Sequence, residues 1–296
     1  MKIRKIIHLV LALALFLSPY SGESQAKITY YKPQASGTAV EQNDQALVDY
    51  SHSEDGYVMV KYLKSFSKTI KVQVFYEDTN LAYNYDIQPK KYEVIPLTEG
   101  SGSYKITVNI QNEGNSYLVV MSKTIEVSLT SEFAPYIRPN QYVNYNKKTK
   151  AVKKANRLTK GCKADLKKVK KIYKYVIKNF TYDKKLAKTV KSNYVPNLNK
   201  VFKKKKGICF DYASLMTAMM RSQGIPTKLV IGYTGNAYHA WVNVYSKKKG
   251  WITGAIYFNG KKWKLMDPTY ASTSKSSKSI MKYIGNAKNY KAKFSY

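Results

Sequence analysis

The sequence predicts two folded units in one chain, an all-β sandwich-like unit over residues 27–139 and an α+β unit over residues 140–296, helices first and antiparallel strands after. Three observations carry this reading. Apolar and polar residues alternate with period two from about residue 28 to 130, and the period then changes to that of a helix. The charge divides at the same place: residues 27–139 hold 11 Lys and Arg against 13 Asp and Glu, whereas residues 140–296 hold 37 against 4. The only marked break between the two halves is EFAPYIRPNQYVNYN, which has two prolines and no clear period and reads as a stiff linker.

Residues 1–26 stand before both units. A basic start, MKIRK, leads into the apolar run IIHLVLALALFL, then Ser18-Pro19 and small residues to Ala26. This is the three-part pattern of a secretory signal peptide cleaved after Ala26. The run falls short of the ~20 residues that a membrane span needs, and no later stretch is apolar enough to make one. The expectation is a secreted protein with no transmembrane segment once the signal is removed.

In the first unit VMVKYL, KTIKVQVFYE, SYKITVNIQ and SYLVVMSKTIEVSL read as strands, punctuated by EDTN, EGSGS and NEGN. In the second, KTKAVKKANRL and KADLKKVKKIYKYVIKNF read as helices. Leu166, Val169, Ile172, Tyr173, Val176 and Ile177 fall on one face of the latter, with lysines over the rest. A loop rich in Lys, Asn and Pro runs to Lys206. CFDYASLMTAMMRSQ then reads as a helix ended by Gly224 and Pro226. TKLVIGY, YHAWVNVY, WITGAIYF and KKWKLMD follow as strands, with Asn259-Gly260 marking a hairpin between the last two.

The cations narrow the choice of partner. Only Arg157 and Arg221 among the 37 of the second half are arginine, which argues against nucleic acid, where the guanidinium fork is preferred. Diffuse lysine suits an anionic cell-wall polymer or an anionic membrane face. It is equally compatible with a solvated cationic surface that has no partner.

The chemistry concentrates around GICFDYASLM. Export favours disulfides, yet the chain has only Cys162 and Cys209. Cys209 falls where a loop containing Gly207 enters a helix. The helix N-terminus and Lys203 to Lys206 favour a thiolate there, and the unpaired first-turn amides suit a developing oxyanion. A buried, inert cysteine is the plain alternative. A nucleophilic thiol needs a base. His52 lies in SHSEDG, a turn, while His239 shares a strand face with Trp241, Asn243 and Tyr245, opposite Ala240, Val242 and Val244. Asp267 ends KKWKLMD just before Pro268, with a parity that points it inward, and an imidazolium would give that carboxylate a partner. Of the other acids in this half, Asp211 suits capping, Asp183 anchors the loop after its helix, and Asp165 suits an N-terminal turn. Cys162, in KGCKAD, reads as a free thiol.

GICFDYASLMTAMMRSQGIPTKLVIGY, then YHAWVNVY, then WKLMDPTY resembles the core of the bacterial transglutaminase-like superfamily, and KVKKIYKYVIKNFTYD is similar to the helix before its nucleophile. The resemblance spans about residues 163–270. It implies a papain-like α+β core in which Cys209 is the nucleophile, His239 the general base and acid, and Asp267 the group that orients the imidazole. The β-rich residues 28–140 also resemble, more weakly, the region before this core in some secreted members. Some members take a second oxyanion donor from a side chain upstream of the nucleophile, for which Tyr182 and Asn193 are the candidates. Tyr238 and Trp241 either wall the cleft or belong to the core.

No metal site, cofactor site or phosphate loop is expected: HExxH and CxxC are absent, and the second half has no acidic cluster. The expected function is therefore a thiol enzyme acting on carboxamide or peptide bonds of a protein or peptide through a thioester, which cross-links, deamidates or cleaves. The alternative is a non-catalytic, cationic wall-binding protein that retains the fold.

Overall fold

The computed structural model describes residues 28–296 apart from 78, 80, 248–249, 253–255, 259–262 and 266–289, with backbone alone at 256–258 and 263–265. Its first eight strands are β1 (Val40–Gln42), β2 (Ala46–Asp49), β3 (Tyr57–Tyr62), β4 (Ile70–Tyr76), β5 (Ala82–Ile87), β6 (Tyr92–Pro96), β7 (Gly102–Gln111) and β8 (Tyr117–Val127). They form two antiparallel four-stranded sheets, ordered β1-β2-β3-β6 and β5-β4-β7-β8. Alternation decides what each sheet buries. On β4 the residues Ile70, Val72 and Val74 are buried, and they pair with Ile87, Tyr85 and Tyr83 of β5 on the same face. Lys71, Gln73, Asn84 and Asp86 fall on the opposite, polar face. The four strands read from sequence are present, and β1, β2, β5 and β6 complete the sheets.

The helices are α1 (Lys150–Thr159), α2 (Asp165–Asn179), α3 (Lys184–Thr189), α4 (Leu198–Lys204) and α5 (Cys209–Arg221). Val169, Ile172, Tyr173 and Val176 of α2 are buried, as its period requires. The stretch expected to be a loop up to Lys206 contains two short helices. Each starts at a side-chain cap: Asp183 accepts from the Leu186 amide at 3.0 Å, and Asn197 accepts from the Lys200 amide at 2.9 Å. Composition made this stretch look irregular, but its Asp and Asn residues start helices.

The second half adds the two-residue strands β9 (Thr181–Tyr182) and β10 (Lys206–Gly207), paired in parallel. After α5 come β11 (Thr227–Thr234), β12 (Ala237–Ser246), β13 (Gly250–Ile252), β14 (Ile256–Phe258), β15 (Trp263–Leu265) and β16 (Tyr290–Ser295). One sheet is ordered β13-β12-β11-β16, and β14 pairs with β15 as a hairpin. Within the strand expected over WITGAIYF, Trp251 and Ile252 pair with β12, and Ile256 to Phe258 pair with β15. α5 is buried along nearly its whole length, from Asp211 to Arg221, and packs against β11 and β12. No helix among the described residues is long and apolar enough to cross a membrane.

The expectation of a stiff linker is corrected. Ala134, Pro135, Tyr136, Asn140, Gln141, Val143 and Tyr145 are buried, so residues 132–146 form a strap packed on both halves. Tyr136 donates to Thr98 O at 2.6 Å on the sandwich side and stands against Trp251 on the other. Tyr142 donates to Asn84 O, stacks on Tyr85, and receives a hydrogen bond from Ser214 at its carbonyl. Its aromatic residues explain the difference, since each has more apolar surface to bury than an exposed linker would allow. The buried side chains of both halves accordingly form one continuous cluster.

Candidate active site

Cys209 is the first residue of α5, and the start of that helix is tightly specified. Ile208 precedes it in extended conformation, and the Ile208 amide donates to Asp211 Oδ2 at 2.9 Å. Asp211 is fully buried, and its other oxygen accepts from the Tyr194 hydroxyl at 2.7 Å. Burial raises its carboxyl above the ordinary value, while the two hydrogen bonds act in the opposite direction. The capping reading of Asp211 therefore holds, and the carboxylate also ties the helix start to the 191–195 loop.

Gly207 is required by close approach. A Cβ there would lie 2.6 Å from Asp211 Cβ and 2.8 Å from Asp211 Oδ2. The backbone cannot simply retreat, because Gly207 O accepts from the Asp183 amide at 2.9 Å. Gly207→Ala is expected to cost about 1–3 kcal/mol through overpacking and to slow alkylation of Cys209 by shifting the helix start. Thermal unfolding and the rate of iodoacetamide labelling check this, and an alanine variant with native values for both would show that the site has slack.

Cys209 and His239 line the same cleft, which has a volume of about 460 Å³. His239 comes from β12, opposite Gly232 of β11, and is 7% exposed, with its ring stacked near Trp241. Tyr238 is 58% exposed and forms part of the cleft wall, whereas Trp241 is buried against Tyr290 and belongs to the core. Asp267, the third expected member, lies outside the described residues.

Of the two upstream candidates, Tyr182 lines this cleft, placed by the pairing of Tyr182 with Gly207. Asn193 lines two neighbouring depressions instead. Ile231, Phe294 and Tyr296 close the sheet side, Tyr142 comes from the strap, and Asn84 comes from the sandwich. Sequence reading missed Tyr142, Tyr194, Phe294 and Tyr296. For the three tyrosines the one signal was the chain's count of 28, which identifies no individual position, and Phe294 had none.

Two of the lysines before Cys209 have other partners. Lys206 Nζ lies 3.4 Å from Asp183, and Lys205 Nζ sits over the rings of Phe202, Phe180 and Tyr175, where burial lowers its pKa. Cys162 and Cys209 are both free thiols. No cluster of three or more metal-ligating side chains occurs among the described residues.

His52 has a geometry worth contrasting with His239. Its Nε2 is 2.6 Å from Ser36 Oγ and its Nδ1 is 3.4 Å from Asp55, the spacing of a serine triad. The amides that follow Ser36 are already engaged, however: Gly37 donates to Asp49, and Thr38 and Ala39 donate to Ser51. The three amides after Ser36 thus serve the turn, and Asp55 is further held by Arg138 at 2.6 Å. This array fastens a turn.

Residues 152–254 match the transglutaminase-like superfamily. An uncharacterized protein of Bacillus subtilis (strain 168), YebA, is 26% identical over 231 residues, covering 63% of this chain and 30% of its own. A protein-glutamine gamma-glutamyltransferase of Pseudomonas aeruginosa is 29% identical over 84 residues, covering 24% and 11%. The chain thus spans less than a third of the length of these relatives. Among solved structures, a candidate cysteine protease from Cytophaga hutchinsonii aligns with a TM-score of 0.36 and 14% identity, over 78% of this chain and 69% of that one.

Proposed function

We propose that this chain, whose residues 152–254 form a domain of the transglutaminase-like superfamily, is a thiol acyl-transfer enzyme acting on carboxamide or peptide groups of proteins. The observation that carries the reading is one cleft lined by Cys209 at a helix start and by the buried His239.

The chemistry follows from those groups. The Cys209 thiol gives its proton to His239, and the sulfur attacks the carbonyl carbon of a glutamine side chain or a peptide. The negative charge that develops on the carbonyl oxygen is met by first-turn amides of α5, where the helix dipole also favours it. The imidazolium then protonates the departing nitrogen, which leaves as ammonia or an amine, and a thioester remains on Cys209. Asp267 is assigned the role of holding the imidazole in the tautomer this needs. Water resolves the thioester to an acid, and a lysine-type amine resolves it to an isopeptide bond.

The aromatic walls of the cleft suit the second outcome by limiting water around the thioester. The N-terminal 26 residues are assigned to export, and the lysine-rich surface of the second half to contact with anionic wall polymer.

Incubating the full chain with a glutamine-containing peptide, with and without a small primary amine, separates the outcomes by mass spectrometry. Loss of ammonia with gain of the amine marks cross-linking, a simple exchange of amide for acid marks deamidation, and shorter products mark proteolysis. A substrate unchanged in every arm, with the Cys209 thiol verified as free, would overturn the acyl-transfer reading.

A further inference from the structure

The fixed charges around the cleft at Cys209 are all of one sign. Among the described residues that line it none is Asp or Glu, and Lys191 supplies a permanent positive charge. On that side the wall includes α3, which buries no residue, and Ala187 and Val190 line the cleft beside Lys191. Lys184 stands one turn before Ala187 on the same side of α3, and Lys188 follows Lys184 at the i+4 position. On the sheet side Phe294 lines the cleft, and Lys293 Nζ lies 5.3 Å from the centre of its ring. Lys184, Lys188, Lys191 and Lys293 are all exposed.

These four cations have no counter-charge of their own. The described acids of the second half are engaged elsewhere. Asp165 is bonded to Lys168, Asp183 caps α3 and lies beside Lys206, and Asp211 is buried and accepts two hydrogen bonds. Asp86 of the sandwich, in the neighbouring depression, is paired with Lys71. Among the described residues no carboxylate therefore pairs with any of the four. Like charges on both sides of one opening repel each other, and the apolar walls between them focus the field at its mouth. That pattern is complementary to carboxylates that arrive with a substrate.

Resting on the acyl-transfer reading above, we propose that the cleft selects acidic peptide segments. The reactive carboxamide reaches Cys209 while Asp or Glu side chains within a few residues of it meet Lys191 and Lys293 at the two walls. Lys184 and Lys188 extend the attraction along α3. The occupant is a carboxylate-bearing peptide because the opening leads to a thiol that acts on amide carbonyls, so one molecule has to bring both groups. Lys191 and Lys293 are then specificity residues of the rim.

The test compares three peptides of equal length on the full chain, each with one central glutamine flanked on both sides by Glu, Ser or Lys. At low ionic strength kcat/KM should fall in the order Glu, Ser, Lys, with about fivefold or more between the first two, as two exposed ion pairs would give. Salt at ~0.5 M should reduce that ratio to under about twofold. Lys191→Glu combined with Lys293→Glu should abolish or reverse the order. Lys153→Glu combined with Lys167→Glu, on the exposed sides of α1 and α2 and outside the cleft lining, makes the same change in net charge and should preserve it. Because a folding defect depresses all three peptides together, the ratios separate recognition from stability. Equal kcat/KM for the three peptides would overturn the acidic rim while leaving acyl transfer intact, as would an equal loss of preference in the remote pair. Equal turnover together with inhibition by a poly(glycerol phosphate) would also overturn it, and would give the same lysines to wall polymer. If no peptide is turned over, the acyl-transfer reading fails. The rim is then decided by fluorescence anisotropy of the labelled peptides on Cys209→Ala protein. Tighter binding of the Glu peptide that Lys191→Glu weakens severalfold sustains it, and equal or absent binding overturns it.

Discussion

Cys209→Ala is expected to lower acyl transfer by about four to six orders of magnitude, as loss of a nucleophile does where the remaining groups act only through it. No other residue lining the cleft can form the thioester. Cys162 offers no substitute, since it lies in the turn between α1 and α2 with its amide bonded to Thr159 O, and Cys162→Ala should leave turnover within about twofold. The same contrast can be read without a substrate. Iodoacetamide near neutral pH should label Cys209 faster than Cys162, because Cys209 shares its cleft with the imidazole of His239, which can take the thiol proton. Equal labelling rates would remove the case for an activated nucleophile.

Arg221→Met is expected to be the most destabilising single substitution away from the sulfur chemistry. Arg221 closes α5 and is fully buried. Its Nε and one terminal nitrogen both donate to Thr227 O, at 2.9 and 2.8 Å. The guanidinium also reaches Arg138 O at 2.6 Å and the Tyr296 main-chain oxygen at 2.7 Å. Burial lowers its pKa to about 10, with Tyr145 and Tyr136 acting in the opposite direction. One side chain thus joins α5, the strap, β11 and the end of β16. Methionine fills much of the volume but leaves Thr227 O and Arg138 O without these donors, at roughly 1–3 kcal/mol for each that water cannot reach, while Tyr296 O keeps the Leu229 amide at 2.9 Å. A net loss of about 3 kcal/mol is expected, partly offset because the charge no longer has to be buried. That corresponds to a Tm lower by roughly 6–12 °C in a chain of this size. A shift under about 2 °C would show that water replaces the guanidinium.

The positions of Cys209 and His239 could be read from the sequence because both sit on regular elements. Cys209 falls at a loop-to-helix transition marked by Gly207, and His239 falls on a strand whose alternation is unambiguous. The strap was misread because prolines at 135 and 139 gave a local signal for an exposed linker. What buries that segment is non-local, namely Tyr85, Thr98, Ser214 and Trp251, 35 or more residues from their partners. The short helices α3 and α4 were hidden by composition, although their caps Asp183 and Asn197 stood in the sequence. β16 had no periodic signal strong enough to read. Its place is set by pairing with β11, with a register shift at Ile231/Gly232, which no local pattern encodes. The second group of missed residues, the tyrosines of the cleft, shares that cause.

The place of β16 has a consequence for how the protein is made. Tyr296 is 5% exposed, packs on Tyr83, Tyr85 and Tyr142, and lines the cleft beside Cys209. The residues that enclose the thiol therefore run from Asn84 to Tyr296, a span of more than 200 positions. A growing chain that has already exposed Cys209 has 87 residues still to emerge before the last wall is present. Contacts of such wide separation also form late, since loop closure precedes them. The Cys209 thiol is consequently present well before its cleft is walled, and the cleft is complete only once Tyr296 has docked against Tyr83, Tyr85 and Tyr142.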